Sequence, residues 1–384
     1  MRPEAVEAMV PFLAGHHGNP SGAHAAARHA RRALDDARDQ IGALVGCGPG
    51  EVVFTSGGTE ADATALSGVL AARPGRTLVG AIEHHAVLDA AGTSLRGPGP
   101  VTVLPVDRLG RVADEVLVDH MTDGGGAVSL VSVALANNEV GSVQPLAGLA
   151  EAIAAEAPGA LLHTDAVQAA SWLDLPALAA PAALVSLSAH KLGGPKGVGT
   201  LIIRDGTPFE AVLRGGGQER GRRSGTPNVA GIVGFGAAAQ MVVADRETTA
   251  ARVTLLRDRL ADGLLAALRP LVPTVRETVV TDGTRDHLLP GHVHLCLPGI
   301  AADEVLFLLD RVGVAASAAS SCASGATEPS HVLSALGIPT EVARGSLRLT
   351  LGWSSTDADV DRALVAVTDA VAQVAGTEAG VGAA

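Results

Sequence analysis

The sequence predicts an α/β fold: a large domain on a mostly parallel, covered sheet, followed by a smaller α+β domain. Three observations predict it. Short apolar runs alternate with amphipathic stretches from Val52 to Ile203, the pattern of strand–helix–strand units whose sheet is buried on both faces. Thr59, His84, Asn138, Asp165, Gln168, Ser188, His190 and Lys191 each fall just past the end of an apolar run, where ligands bind in such sheets. The chain has 384 residues, 47% of them hydrophobic, ample for a core and too long for one small domain.

In chain order, Pro3–Leu13 reads as a short amphipathic helix, and Gly18-Asn19-Pro20-Ser21-Gly22 as a loop capping a long helix that ends near Val45. Val52-Val53-Phe54 is a strand, and Thr55-Ser56-Gly57-Gly58-Thr59-Glu60 turns into a helix over Ala61–Ala72. A strand, a Gly-rich turn and a helix present backbone N–H groups and a positive dipole end to an anion. The same turn also reads as a plain N-cap on Thr59 or Ser56. Thr77–Ala81 is a strand leading through Ile82-Glu83-His84-His85 to a helix from Ala86, and Val101–Pro105 is a further strand. Ala127–Ala136 is a strongly apolar strand ending at Asn137-Asn138-Glu139-Val140-Gly141. Leu146–Ala155 is a helix, and Leu161–His163 a strand ending at Thr164-Asp165-Ala166-Val167-Gln168.

The apolar run Ala182, Ala183, Leu184, Val185 is a short buried strand that ends where Ser188, His190 and Lys191 cluster. A Gly/Pro-rich hairpin and a second apolar run, Val198 to Ile203, follow. A lysine at the end of a buried strand is costly unless paired or functional. In a desolvated pocket its amine loses the proton more easily and can form a Schiff base; the plain alternative is a surface lysine opening a turn. Lys196, between Pro195 and Gly197, belongs to the turn itself. Arg214–Asn228 is rich in Gly and Arg, either a phosphate-binding loop with Thr226 and the arginines or a solvated loop. A helical pattern from Gly231 to Leu268 links the domains. Beyond it, His292–Leu297 is a strand, Ala302–Arg311 a helix, Leu347–Leu351 a strand and Asp357–Val374 a closing helix, with a tail fraying from Thr377. The division expected is a large domain over 15–245 and a small one over 246–384 together with 1–14.

With 28 basic against 40 acidic side chains and a net charge of −12, the chain is a poor candidate for binding nucleic acid or an anionic membrane, which call for a basic face. No window holds about 18 uninterrupted apolar residues with suitable flanks, and the first ten residues lack a signal-peptide core. Cys47, Cys296 and Cys322 are an odd, widely spaced set. They read neither as a disulfide framework nor as a metal site, which fits a reducing cytoplasm. Cys322 sits in Ala315–Gly325, a run of almost only small residues; little there can bury the thiol, which suggests a flexible arm carrying a nucleophile. Cys47, in a Gly-rich turn, and Cys296, in a strand, read as structural.

The chain resembles the cysteine desulfurases of the NifS/IscS type, within the class V aminotransferase-like enzymes. The motifs that carry the resemblance are T-S-G-G-T-E-A-D from Thr55, E-H-H-A-V-L from Glu83, N-N-E-V-G from Asn137, H-T-D-A-V-Q from His163 and S-A-H-K-L-G-G-P-K-G-V-G from Ser188. They continue with G-G-G-Q-E-R-G-R-R-S-G-T from Gly215, S-S-C-A-S-G-A-T-E-P-S-H-V-L from Ser320 and R-L-T-L-G from Arg348. Their order is that of the family, and they span nearly the whole chain.

The resemblance implies the type I fold of pyridoxal-phosphate-dependent transferases, with a seven-stranded large-domain sheet, and pyridoxal 5′-phosphate as cofactor. It implies that Lys191 holds the cofactor and moves the substrate's Cα proton, that Asp165 pairs with the pyridine nitrogen, and that His84 stacks on the ring. Gln168 would donate to the phenolic oxygen. Gly58, Thr59, Ser188 and His190 would hold the phosphate, and Thr226 would reach the phosphate of a neighbouring subunit in a homodimer. Asn138 would contact the cofactor and, with Arg348, grip L-cysteine, and the thiolate of Cys322 would take its sulfur as a persulfide for an acceptor protein. That acceptor would be an iron–sulfur scaffold or a sulfur carrier, in iron–sulfur cluster assembly, tRNA thiolation or a cofactor pathway. The long Cys322 segment resembles the family type with a mobile arm.

Three departures stand out. Ala63 and His292 occupy positions where relatives often carry asparagine, and the N-terminal strand with a D-x-A-A-T-T-P segment is not seen ahead of the first helix. The expectation is that the working chain starts upstream of Met1, or that this form turns over cysteine poorly. Other readings share Lys191 and Asp165: a selenocysteine lyase, another C–S lyase, a transaminase, or an inactive, N-terminally truncated paralogue.

Overall fold

The computed structural model describes residues 1–92, 100–318 and 330–381, with side chains through Gly376. The chain forms two compact units, one of Met1–Pro105, Val112–Ala136 and Gln144–Arg246, the other of Val106–Arg111, Asn137–Val143 and Glu247–Ala384.

The first unit contains α1 (Pro3–Ala14), α2 (Ala25–Val45), β1 (Val52–Thr55), α3 (Gly58–Ala72), β2 (Arg76–Gly80), α4 (His85–Gly92), β3 (Val101–Leu104) and α5 (Asp114–Thr122). It continues with β4 (Val128–Ser132), α6 (Leu146–Glu156), β5 (Leu161–Asp165), α7 (Leu175–Leu178), β6 (Leu184–Ser188), β7 (Gly199–Ile203) and the first part of α8 (Val229–Leu268). Among the described residues the strands make a seven-stranded sheet in the order β1-β7-β6-β5-β4-β2-β3. Neighbours from β3 to β6 run parallel, while β7 is antiparallel to both β6 and β1. β1, β2, β4, β6 and β7 are buried along their whole length. That burial on both faces explains why they read as unbroken apolar runs. Val53, Leu130, Leu184 and Leu201 pack with Ala61, Ala65, Leu66 and Val69 of α3 in one apolar cluster. Helix α2 buries Ala27, Ala30, Leu34, Ala37, Ile41 and Leu44, a stripe at helical spacing. It stops at Gly46, whose φ of 71° favours a residue without a Cβ.

The sequence expectation grouped 1–14 with the small domain. Instead α1 lies in the first unit, where Arg2 pairs with Asp245 at 2.8 Å and donates its backbone N–H to Gly193. Long-range ion pairs of this kind leave no local sequence signal.

The second unit contains the rest of α8, then β8 (Arg276–Glu277), β9 (His292–Cys296), α9 (Ala302–Arg311), α10 (His331–Ala335), α11 (Thr340–Ala343), β10 (Ser346–Thr350) and α12 (Asp357–Val381). Its sheet is antiparallel, in the order β10-β9-β8. Leu256, Leu260 and Leu264 of α8 pack with Val293, Leu295, Leu347, Leu349, Val305, Leu309, Val367 and Val371. Asn137–Val143 joins this unit by pairing with the chain near Leu288: Leu289 donates to Gly141, and Val143 to His287. α12 runs on as helix past Thr377, where fraying was expected. α8 is long and apolar enough to cross a membrane, yet half of its most apolar window is buried inside the fold, as in a core helix.

Candidate active site

In the first unit, α3 begins at Gly58, earlier than the sequence pattern predicts, so Thr59 and Glu60 lie in its first turn. Glu60 Oε2 accepts the Ser56 N–H at 2.8 Å, and its Oε1 takes Arg223 Nε at 2.7 Å. Close packing holds this turn against the sheet. A Cβ on Gly58 would stand 3.0 Å from Val167 Cγ2 and 3.6 Å from Ser188 Cβ, and one on Gly199 would sit 2.5 Å from the Gly57 carbonyl carbon. The N-terminus of a 15-residue helix therefore opens beside the ends of β5 and β6, an arrangement suited to a phosphate.

Beside it, Ser188 Oγ and His190 Nδ1 are 2.8 Å apart. Partial burial, then the Lys191 and Lys196 charges, lower the pKa of His190, which favours a neutral ring at that position. Lys191 ends the 3-10 turn Ala189–Lys191 directly after β6. Although β6 is buried throughout, Lys191 itself is exposed, because the turn carries it out of the sheet. Of the two positions open to it from the sequence, a buried pocket or an exposed turn, Lys191 takes the exposed turn. Ser171 Oγ donates to the Lys191 carbonyl at 2.8 Å. Lys196 is exposed in the hairpin beside Gly197, whose φ is 78°.

Asp165 is the last residue of β5 and 9% exposed. Its Oδ1 accepts the Val167 N–H at 2.8 Å. Burial pushes its carboxyl up to about 6, against the pull of that N–H and of the Lys191 ammonium. Gln168 is half-buried in the turn that follows. His84 precedes α4 and caps it: Nδ1 accepts the Ala86 N–H at 3.0 Å. Thr226 is exposed and lines a cavity of about 110 Å³ with Thr55, Ser56 and Arg223 of its own chain.

The second unit holds the other candidates. Asn137 Oδ1 accepts the N–H groups of Glu139 and Val140 at 2.8 and 2.9 Å, shaping the turn that carries Asn138. Arg348 of β10 donates from Nη1 to the Asn138 carbonyl at 3.2 Å. The Arg348 backbone pairs on one side with His294 and on the other with Ser317. Cys322 lies outside the described residues. Ser330, just beyond that segment, caps α10 and donates to Glu139 Oε2 at 2.6 Å. Cys47 is half-buried with its thiol raised to about 11, chiefly by burial. Cys296 is buried, also raised by burial first, and 3.2 Å from Thr278 Oγ1.

Sequence reading missed the polar groups beneath this site. His163 lies on β5 with Nδ1 2.8 Å from Ser132 Oγ and Nε2 3.0 Å from Ser186 Oγ. Asp62 Oδ1 is 3.7 Å from the same Nε2. Glu83 Oε1 accepts the Ala134 N–H at 2.6 Å. A signal was available: His163 and Asp165 sit two apart on a strand, and so on one face.

The sequence signature of the aminotransferase class-V family matches residues 1–363. The IscS-like cysteine desulfurase of Mycobacterium tuberculosis is 41% identical over 381 residues, covering 97% of this chain and 94% of the relative. The cysteine desulfurase NifS of Azotobacter vinelandii is 40% identical over 374 residues, covering 97% and 90%. A solved NifS-like protein superposes with a TM-score of 0.86 at 31% identity, over 96% of this chain and 95% of that one. The chain belongs to the aminotransferase class-V family, among the cysteine desulfurases of the IscS/NifS type.

Proposed function

We propose that the chain converts L-cysteine to L-alanine as a pyridoxal-phosphate-dependent cysteine desulfurase and leaves the sulfur as a persulfide on Cys322. The observation that carries this reading is the gathering of Asp165, Ser188, His190, Lys191 and the N-terminus of α3 at one end of one sheet. These residues fit the cofactor. Gly58, with no Cβ beside Val167 and Ser188, leaves the helix N-terminus open to a phosphate, and a carboxylate beside a lysine matches a pyridinium and an aldehyde.

When bound, pyridoxal phosphate supplies an electron sink for the charge that develops when the substrate's Cα proton leaves. Lys191 Nζ would hold the cofactor and carry that proton. The Asp165 carboxylate would pair with the pyridine nitrogen and favour its protonated form. His84, its Nδ1 engaged by Ala86, would lie against the ring and assist proton transfer; Gln168 would donate to the phenolic oxygen. Gly58, Thr59, Ser188 and His190 would hold the phosphate, and Thr226 would serve the phosphate of the partner subunit in a homodimer. Asn138 and Arg348 bind the substrate, the arginine as a bidentate clamp on its carboxylate. The Cys322 thiolate then attacks the substrate sulfur. The S–S bond forms as the Cβ–S bond breaks, and its electron pair stays with the amino-acid fragment, which is protonated and leaves as L-alanine. An acceptor protein, an iron–sulfur scaffold or a sulfur carrier, takes the persulfide sulfur.

The test is alanine release from L-cysteine by the wild type and by Cys322→Ala. The variant should retain the visible absorption of the cofactor and lose alanine release. Undiminished release from the variant would refute the assignment of the sulfur acceptor.

A further inference from the structure

The face of the large sheet that packs on α3 is apolar around Leu130, Leu184 and Leu201, but one polar strip crosses it. His163 and Asp165 share this face of β5. Pairing sets Ser132 of β4 opposite His163, and Ser186 of β6 opposite Asp165. Asp62 descends on the strip from α3. Asp62, Ser132, His163 and Ser186 are each no more than 1% exposed.

The direction of hydrogen bonding along this strip is constrained. Burial pushes His163 down to about 3, so the ring is neutral, with one nitrogen donating and one accepting. Ser186 neighbours both His163 Nε2 and the Asp62 carboxyl, and its hydroxyl has one hydrogen to give. Two arrangements satisfy the chain. In one, Asp62 carries a proton and donates to Ser186, Ser186 donates to Nε2, and Nδ1–H donates to Ser132. In the other, Asp62 is ionised, Ser186 donates to it, Nε2–H donates to Ser186, and Ser132 donates to Nδ1.

Geometry separates the two. Among the described residues Asp62 Oδ1 has no hydrogen-bond partner, and His163 Nε2, at 3.7 Å, is too far to supply one. A buried carboxylate oxygen without a donor is far costlier than the carbonyl oxygen of a neutral acid. Ionised Asp62 would also lie near the Asp165 and Glu83 carboxyls, whose charge, after burial itself, raises it further. Asp165 is better placed to ionise, with the Val167 N–H at 2.8 Å and the Lys191 ammonium to stabilise its charge.

We propose that Asp62 is a positioning residue that keeps its proton, fixes His163 as the Nδ1–H tautomer, and so leaves Asp165 as the ionised carboxylate on this face. The value of that charge to catalysis rests on the cofactor role of Asp165 given above; the proton on Asp62 does not.

Infrared difference spectra of the intact chain, wild type against Asp62→Asn, test this at neutral pH with and without pyridoxal phosphate. The amide of the variant can still donate to Ser186. The expected result is loss of one protonated-carboxyl carbonyl band with the carboxylate bands unchanged. Loss of carboxylate bands instead would overturn the proposal. Should Asp62→Asn not fold, wild type carrying nitrogen-labelled histidine decides it, with the His163 ring assigned through its contacts to Ser132 and Ser186. A proton on Nδ1 supports the proposal and a proton on Nε2 overturns it. Neither readout uses turnover, so failure of the desulfurase reading would leave the result standing.

Discussion

Lys191 and Lys196 share one hairpin, yet only Lys191 follows directly on the buried strand β6, beside the Ser188–His190 pair. Lys191→Ala should abolish the borohydride-trapped link to pyridoxal phosphate, and Lys196→Ala should retain it; peptide mapping of the reduced adduct reads the difference directly. The cysteines divide by environment in the same way. Cys47, raised to about 11 by burial, and Cys296, also raised by burial, are thiols rather than thiolates at neutral pH, and the thiolate is the nucleophile. Cys47→Ser and Cys296→Ser should therefore leave alanine release unchanged, which a single-time-point assay checks. At this scale the sequence was informative about which polar residues fall at strand ends, as for Asp165, Ser188 and Lys191. It left Asp62 unmarked and hinted at His163 only through its spacing from Asp165, because their partners come from other strands and another helix.

At the scale of elements, the contact between β7 and the turn before α3 is the most sensitive. A Cβ at Gly199 would lie 2.5 Å from backbone carbon of Gly57, and backbone cannot step aside as a side chain can. Gly199→Ala should cost about 1–3 kcal/mol of stability and weaken cofactor binding, because the turn sets the helix N-terminus; denaturant melts and cofactor titration measure both. The turn carrying Glu139 makes a pH-dependent prediction. Burial raises this carboxyl from 4.5 to about 7, against the pull of Ser330 and Arg348. Below pH 4.5 both folded and unfolded chains hold the proton. As pH rises toward 7 the unfolded chain releases it first, so stability falls through that window and then levels. Glu139→Gln, which can still accept from Ser330, should flatten this slope and be more stable than wild type above neutral pH; urea melts at acidic and alkaline pH read the sign. Apolar runs made β1, β6 and β7 legible. The short helices α7, α10 and α11 were not, since pieces of four or five residues have too few positions for a periodic signal.

For the whole molecule, the two-unit division follows long-range pairing that local sequence does not record. Asn137–Val143 joins the second unit through Gly141–Leu289 and Val143–His287, and α1 joins the first through Arg2 and Asp245. The proposed homodimer predicts complementation between defective chains. Lys191→Ala and Thr226→Ala proteins, each weak in cofactor binding, should regain one normal site per dimer when mixed and refolded together, because one mixed site carries both native residues. Absence of any recovery in a heterodimer purified by two tags would contradict the shared phosphate site.

The central claim is that sulfur leaves L-cysteine and lands on Cys322. Mass mapping of peptides after a single turnover with L-cysteine, with thiols blocked before digestion, tests it most directly. The account predicts one added sulfur on the Cys322 peptide, matched by one alanine released, with Cys47 and Cys296 unmodified. Alanine formed with the extra sulfur on Cys47 or Cys296, or on no cysteine at all, would contradict it.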